Sequence, residues 1–385
     1  MRLAIVASHP IQYYAPLFRK LAQRLDVTVF YAHRATPADQ SKAGFEVRFD
    51  WDIDLLSGYA HIFLDNVAKQ PGLEQFQGCD TPEIGARLRE GSFDAVLVQG
   101  WHLKSFLQAL LSAKGQGIPV LARGDSHLGS SRSGFKRVAK SIFYPGFLRL
   151  FDAALVVGKR SHAYWTHYHF PRSRIFFSPH CIDAEWFAAR AAVDNGVALR
   201  ARLGISPASE LLLFAGKLVP YKRPLDLIAS AARLNAEGRQ VSVLVAGAGP
   251  LGEQMVASAR DSGVTLHMLG FCNQTEMPAA YSAASILVLP SDGRETWGLV
   301  ANEALACGRP IVVSDAVGCA PDLVVDGTTG KIYPMGDVVA MASAIASLLD
   351  GPPSCEAIAA KSTAYSLEAA VNGVLRAASF VTGQN

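Results

Sequence analysis

Glu295-Thr296-Trp297-Gly298-Leu299-Val300-Ala301-Asn302-Glu303-Ala304-Leu305-Ala306-Cys307-Gly308 sets two carboxylates eight residues apart around a turn. The second lies in a short apolar helix that a glycine closes. At a rise of about 1.5 Å per helical residue, eight residues cover about 12 Å. Between the carboxylates, near Trp297 to Val300, the helix start presents unpaired N–H groups and the positive end of its dipole, a seat for a diphosphate. A carboxylate accepts hydrogen bonds from two vicinal hydroxyls. The spacing therefore fits a ligand with a hydroxyl-bearing ring at each end and a diphosphate between. On spacing alone, solvated helix charges would be the stronger reading; the loops around this stretch reverse it.

Working outward, the second half alternates strand and helix. Its apolar strand candidates are Leu211–Ala215, Val241–Ala246, Val264–Leu269, Ile286–Leu289 and Pro310–Ser314. The first half has the same rhythm at Leu3–Ala7, Val27–Tyr31, Ala95–Gln99, Val120–Arg123, Ala153–Val157 and Ile175–Ser178, with helical patterns such as Ala15–Arg24, Ser105–Lys114 and Ser161–Tyr168 between. Short Val, Leu and Ile runs without alternation belong to parallel sheets buried on both faces. The prediction is two successive α/β units, a first domain over 1–185 and a second over 186–360, followed by a closing segment 361–385, with closing helical patterns at Glu356–Lys361 and Leu367–Phe380. The seam is expected between Asp183 and Ser209, where Asp194-Asn195-Gly196 and Gly204-Ile205-Ser206-Pro207 supply turn chemistry. Ligands of open parallel sheets bind beyond the carboxyl ends of the strands, so a cleft between the two is the natural site.

Composition excludes several classes. The chain has 385 residues, half of them hydrophobic and 18% charged, enough to bury a large core. A formal charge of +3 is too small for a nucleic-acid footprint. The six cysteines, at 79, 181, 272, 307, 319 and 355, form no C-x-x-C, which reads as reduced thiols and not as a disulfide framework or zinc site. The N-terminus enters a strand at once, leaving no room for a signal peptide. No apolar run approaches ~18 residues, so no membrane span is expected.

Two motifs mislead. Gly247-Ala248-Gly249-Pro250-Leu251-Gly252 satisfies G-x-G-x-x-G, but the following strand ends His267-Met268-Leu269-Gly270 without the acid that a dinucleotide ribose requires. Close backbone approach explains these glycines better. Asp50, Asp52 and Asp54 alternate like an acid-x-acid metal triplet. A calcium loop starting at Asp50 would need glycine and glutamate where Leu55 and His61 stand. No metal site is predicted.

Glu295 to Gly308, with Arg309-Pro310-Ile311-Val312-Val313-Ser314 behind it, resembles the signature of retaining glycosyltransferases of family 4, which have the two-domain GT-B fold. Gly216-Lys217 with Lys222 resembles the phosphate loop, and Gly247-Ala248-Gly249-Pro250 the glycine turn. Leu269-Gly270-Phe271 resembles the base-side loop, and Leu289-Pro290-Ser291 the strand end before the motif. Pro321 to Gly330 resembles the helix and hairpin after it. In the first half the resemblance rests on Ser8 to Tyr14, on Arg123-Gly124-Asp125-Ser126-His127, and on Pro179-His180-Cys181-Ile182-Asp183 with Phe187. Lys217 stands where the family most often has arginine, keeping the charge without the bidentate fork. His180-Cys181 replaces Asn-Gly, and His9-Pro10-Ile11-Gln12 replaces a glycine-rich loop.

The resemblance implies an α/β, GT-B enzyme, two Rossmann-like parallel-sheet domains facing a central cleft, that moves a hexose from a nucleoside-diphosphate sugar to a glycan or lipid-linked acceptor, in cell-envelope polysaccharide or glycolipid synthesis. The alternatives are an epimerase of the same fold and a non-catalytic sugar-nucleotide-binding protein. Glu295, His127 and Lys222 would be catalytic. Gly216, Lys217, Lys222, Gly249, Phe271, Glu295, Trp297, Gly298, Leu299 and Glu303 would bind the donor, Glu295 at the sugar and Glu303 at the ribose. His127 would face the sugar from the first domain, and the closing helices, Glu356–Lys361 and Leu367–Phe380, would return to pack on that domain. No metal or other cofactor is implied, because lysines neutralise the leaving diphosphate; no nucleic acid is expected. The stretch Arg132 to Phe151 mixes Lys136, Arg137, Lys140 and Arg149 with Phe135, Ile142, Phe143 and Phe147. It reads equally as a peripheral membrane contact and as an amphipathic helix on the core, with Pro145 and Gly146 expected to break it. The expected location is cytoplasmic, at the inner face of the membrane.

Overall fold

A computed structural model describes residues 1–37, 41, 46–129, 134–194, 196–206 and 208–383, without the side chains of 134–139 and 194. Asn195, Pro207 and Arg132 lie outside the described residues, as do the side chains of Phe135, Lys136 and Arg137. The chain divides into two units, one of 1–39, 54–180 and 367–385, the other of 40–53 and 181–366.

In the first unit the apolar runs become β1 (Arg2–Ala7), β2 (Asp26–Tyr31), β3 (Ala60–Phe63), β4 (Ala95–Val98), β5 (Val120–Gly124), β6 (Ala153–Val156) and β7 (Ile175–Phe177). They pair in parallel in the order β3-β2-β1-β4-β5-β6-β7. Strand β3 escaped the sequence reading because it is an edge strand, half-buried and only four residues long.

The second unit holds β8 (Glu210–Ala215), β9 (Val241–Ala246), β10 (Leu266–Gly270), β11 (Ile286–Leu289), β12 (Ile311–Ser314) and β13 (Gly330–Tyr333), in the order β10-β9-β8-β11-β12-β13. Leu212, Phe214, Val243, Val245, Ile286, Val288 and Val312 from these strands share one core, each such side chain contributing about 1.5–3 kcal/mol by leaving water. The order reverses between β8 and β11, so the loops after those two strands diverge and open a crevice.

Three expectations change. The hairpin after Pro321 is instead a turn leading into β13, which pairs parallel with β12. Thr329 sets that turn, its hydroxyl donating to the Leu323 carbonyl at 2.7 Å and accepting from the Val325 N–H at 2.9 Å. Pro145 does not break its helix, which runs Gly134–Leu148. Proline forfeits one backbone bond there, while buried Leu148 and Phe151 beyond it, with Phe147 packed on the same core, hold the chain on course.

The domain limits move as well. The units part at His180/Cys181, close to the expected 185, and 40–53 leaves the first unit's sequence to join the second. Of the closing helices, Leu367–Thr382 belongs to the first unit, where Ser178 Oγ donates to the Ala370 carbonyl at 2.9 Å. The added Cβ of an alanine at Gly373 would lie 2.0 Å from the Phe177 carbonyl oxygen, so only glycine lets this helix sit so close. Helix Cys355–Ala364 stays in the second unit, Lys361 donating to the Asp322 carbonyl at 3.0 Å.

Candidate functional site

The crevice between β8 and β11 collects most of the second unit's sequence-predicted residues. Gly216 and Lys217 follow β8 directly, and a 3-10 turn, Pro220–Lys222, brings Lys222 back under the loop. Pro224 opens the next helix, Pro224–Ala236, as its fixed φ suits. Lys222 is buried and pairs with Glu295, whose Oε2 also accepts from Ser291 Oγ at 3.3 Å. The two charged side chains keep only 11% and 13% of their exposure. Burial, with the charge of Lys222 added, pulls the Lys217 ammonium below its ordinary range, and Glu295 partly offsets this. Lys217, Lys222 and Glu295 thus share a desolvated corner.

Glycines let these loops approach. Gly249 has φ +149°, and a Cβ there would meet the Leu218 carbonyl oxygen at 2.8 Å. Leu218 in turn donates to the Ala248 carbonyl at 2.9 Å and accepts from the Leu251 N–H at 3.0 Å. The G-x-G-x-x-G stretch is therefore a support for the lysine loop. Gly298, at φ +94°, precedes helix Leu299–Ala306, and a Cβ there would strike Leu289 Cδ2 at 2.6 Å. Among the described residues no side chain caps this helix, whose Ala301 N–H donates to the Gly298 carbonyl at 2.9 Å, and Glu295 lies three residues before its Gly298 N-cap.

Glu303 lies on that helix, buried, and its Oε2 accepts from Tyr281 Oη at 2.5 Å. Trp297 comes just before Gly298 in the same loop. Its ring is buried, Nε1 donates to Asn302 Oδ1 at 2.8 Å, and it packs near Tyr365, ring centroids 6.0 Å apart. Its side chain braces the loop. The loop is also pinned by Gly318 N–H to the Glu295 carbonyl, 2.9 Å, and Cys319 N–H to the Trp297 carbonyl, 3.0 Å. Phe271 follows β10 and stacks on Phe49, ring centroids 4.1 Å apart.

In the first unit, His127 follows β5, buried, with Nδ1 accepting from the Gly129 N–H at 3.1 Å. Nearby in sequence, Arg123 is buried and donates to the Ser178 hydroxyl and to the carbonyls of Ser178 and Pro179, the last at 2.7 Å. His180 Nε2 lies 3.8 Å from Asp125. Burial holds His180 and His102 below their ordinary range, with Asp125 opposing in both. Among the described residues no cluster of His, Cys, Asp and Glu has the spacing to hold a metal.

Sequence reasoning missed Tyr281, Ser291 and Gln99. Tyr281 and Ser291 hydrogen-bond Glu303 and Glu295, 22 and four residues away, and the first of these relations no local pattern carries. Gln99 ends the β4 run, where its buried amide has no hydrogen-bond partner; a polar residue closing an apolar run was the available signal.

Residues 198–364, most of the second unit, match the family model of glycosyl transferases group 1. The chain is 38% identical over 165 residues to a D-inositol 3-phosphate glycosyltransferase of Mycobacterium sp. (strain KMS), covering 41% of this chain and 36% of that protein. A D-inositol 3-phosphate glycosyltransferase of Frankia alni is 34% identical over 194 residues, 46% of this chain and 47% of its own length. The chain thus spans less than half the length of these curated relatives. Over the whole chain, the fold is that of sucrose-phosphate synthase from Thermosynechococcus elongatus, at TM-score 0.73, 18% identity and complete coverage of both. It is equally that of Anabaena HepE in complex with UDP, at TM-score 0.74 and 16% identity, covering 99% of this chain and 100% of that one. The fold class is GT-B, two parallel-sheet α/β units, with the second unit matching the glycosyl transferases group 1 model.

Proposed function

We propose that this protein is a retaining glycosyltransferase that moves a hexose from a nucleoside-diphosphate sugar to a hydroxyl of a glycan or lipid-linked acceptor. The observation that carries the reading is the buried Lys222–Glu295 pair beside Lys217 and the uncapped helix start at Gly298. Cations suit a diphosphate, and a carboxylate suits the hydroxyls of the sugar attached to it. Binding of UDP by HepE, whose fold this chain shares, favours a nucleotide donor.

As the bond from the anomeric carbon to the diphosphate breaks, its electron pair goes to the leaving oxygen. Lys217, Lys222 and the N–H groups of Gly298 and Leu299 stabilise that charge, so the chemistry has no need of a metal ion. Glu295 accepts from the sugar hydroxyls while positive charge grows on the ring. Glu303 holds the ribose, and His127 meets the sugar. The acceptor binds at the carboxyl ends of the first unit's strands, where the buried, unpartnered Gln99 amide offers a donor and an acceptor to a hydroxyl. A lipid-linked acceptor is favoured by Ile142 and Phe143, 68% and 71% exposed on helix Gly134–Leu148. Such a pair would rest at the cytoplasmic face of a membrane.

The test is incubation with UDP-, GDP- and ADP-hexoses and candidate acceptors, with the anomeric configuration of the product read by NMR. Retention is expected, and Glu295→Gln should lower kcat ~10²-fold with a smaller effect on donor binding. Inversion, or an unchanged kcat, refutes the mechanism. Release of a free, altered sugar nucleotide would instead identify an epimerase.

A further inference from the structure

Asp52, the middle residue of the triplet that mimics a metal site, has another use. The excursion 40–53, which belongs to the second unit, grips the loop after β10. Phe49 stacks on Phe271 with planes tilted by 31°, and Trp51 meets Phe49 edge-on at 5.0 Å. Asn273 Nδ2 donates to the Asp50 carbonyl at 2.7 Å. Thr275 donates to Asp52 Oδ2 twice, from its N–H at 3.1 Å and from its hydroxyl. The loop Phe271–Thr275 is thus held by a ring at one end and a carboxylate at the other. Elsewhere the same loop borders a cavity of about 330 Å³ lined by Leu199, Arg202, Leu269, Cys272 and Glu276, so it lacks close packing there.

Position gives this grip a purpose. Strand β10 lies two places from β8, and at about 4.8 Å per strand its loop is ~10 Å from the lysines. That is the reach of a ribose and its base from a diphosphate seated at Lys217 and Lys222. The Gly247 N–H donates to the Gly270 carbonyl at 2.7 Å, joining this loop to the glycine turn. A base would meet a surface whose shape depends on whether Phe271–Thr275 is already ordered, and preordering lowers the entropic cost of binding.

We infer that Phe49–Asp52 is a strap that positions the Phe271–Thr275 loop for recognition of the nucleotide base, with Phe49 and Asp52 as positioning residues. The inference rests on the proposed nucleotide-sugar reading. It is tested on the full chain by calorimetric titration with UDP, GDP and ADP, and by kinetics with the matching hexose donors. Phe49→Ala and Asp52→Ala should each raise Kd for the best-bound nucleoside diphosphate about 10-fold and shrink its advantage over the other two. Donor KM should rise by a similar factor while kcat changes less than about 2-fold, the signature of lost uniform binding. Phe49→Tyr, which keeps the ring, and Asp52→Asn, which keeps an acceptor, should recover most of the affinity. Unchanged Kd and base preference in the folded variants overturn the strap alone. So does an equal loss for all three nucleotides in step with a lowered melting temperature. A wild-type chain that binds none of the three overturns the proposed function, and the strap with it.

Discussion

Replacing Lys222 with methionine separates what the Lys222–Glu295 pair does for the fold from what it does for a ligand. Methionine keeps the length of the stem and removes the charge, leaving the Glu295 carboxylate with a hydrogen bond from Ser291 Oγ at 3.3 Å and the more distant charge of Lys217. Losing one partner of a buried ion pair costs about 3–5 kcal/mol. The remaining 11% and 13% exposure of the two side chains favours the lower end, about 3 kcal/mol. For a unit of this size that is a melting shift of roughly 6–12 °C. Adding Glu295→Gln removes the stranded charge, so the double variant should recover to within about 1 kcal/mol of wild type. Nucleotide affinity should not recover. A lost charge-assisted contact to phosphate costs about 1.5–3 kcal/mol, or roughly 10–100-fold in Kd for UDP, in the single and double variants alike. Urea unfolding and calorimetric titration of all three variants read both effects. A Lys222→Met protein that melts with wild type, or a double variant as unstable as the single, would show that the pair is not desolvated. Affinity restored in the double would mean that Lys222 acts only on the fold.

Other outcomes follow from the same geometry. Glu303→Gln and Tyr281→Phe should mainly raise donor KM, because ribose contacts hold equally in ground and transition states; a kcat loss larger than the KM change would move Glu303 to the reacting centre. His102 and His180 have folded-state pKa values below the ordinary 6.5. Their stabilising contribution is therefore complete above pH 6.5 and is lost as pH falls from there toward the folded values. The urea midpoint should drop on acidification, less steeply in His102→Gln and His180→Asn; equal slopes would refute this. Cys79, Cys181, Cys307 and Cys319 are buried and Cys355 is exposed, with burial raising Cys272 to about 11. A thiol reagent at neutral pH should modify Cys355 quickly and the others only on unfolding; rapid loss of a second thiol would contradict the packing.

Parallel sheets are legible in sequence because strands buried on both faces must be apolar throughout, as Leu3–Ala7 and Ile286–Leu289 are. For the same reason half-buried β3 left no trace. The glycine turns, the lysine loop and the carboxylate pair were visible because each depends on residue types a few positions apart. Tertiary structure alone decided that Trp297 spends its side chain on Asn302, that Tyr281 holds Glu303, and that Lys222 neutralises Glu295 across 73 residues. It also decided that 40–53 joins the second unit, through bonds between residues 223 positions apart. A short polar segment bearing Asp50 and Asp52 has the same local pattern whether water, a metal or a distant loop satisfies it. Backbone propensity acts over neighbouring residues, whereas a carboxylate's partner is set by which loops the folded sheet brings within 3 Å.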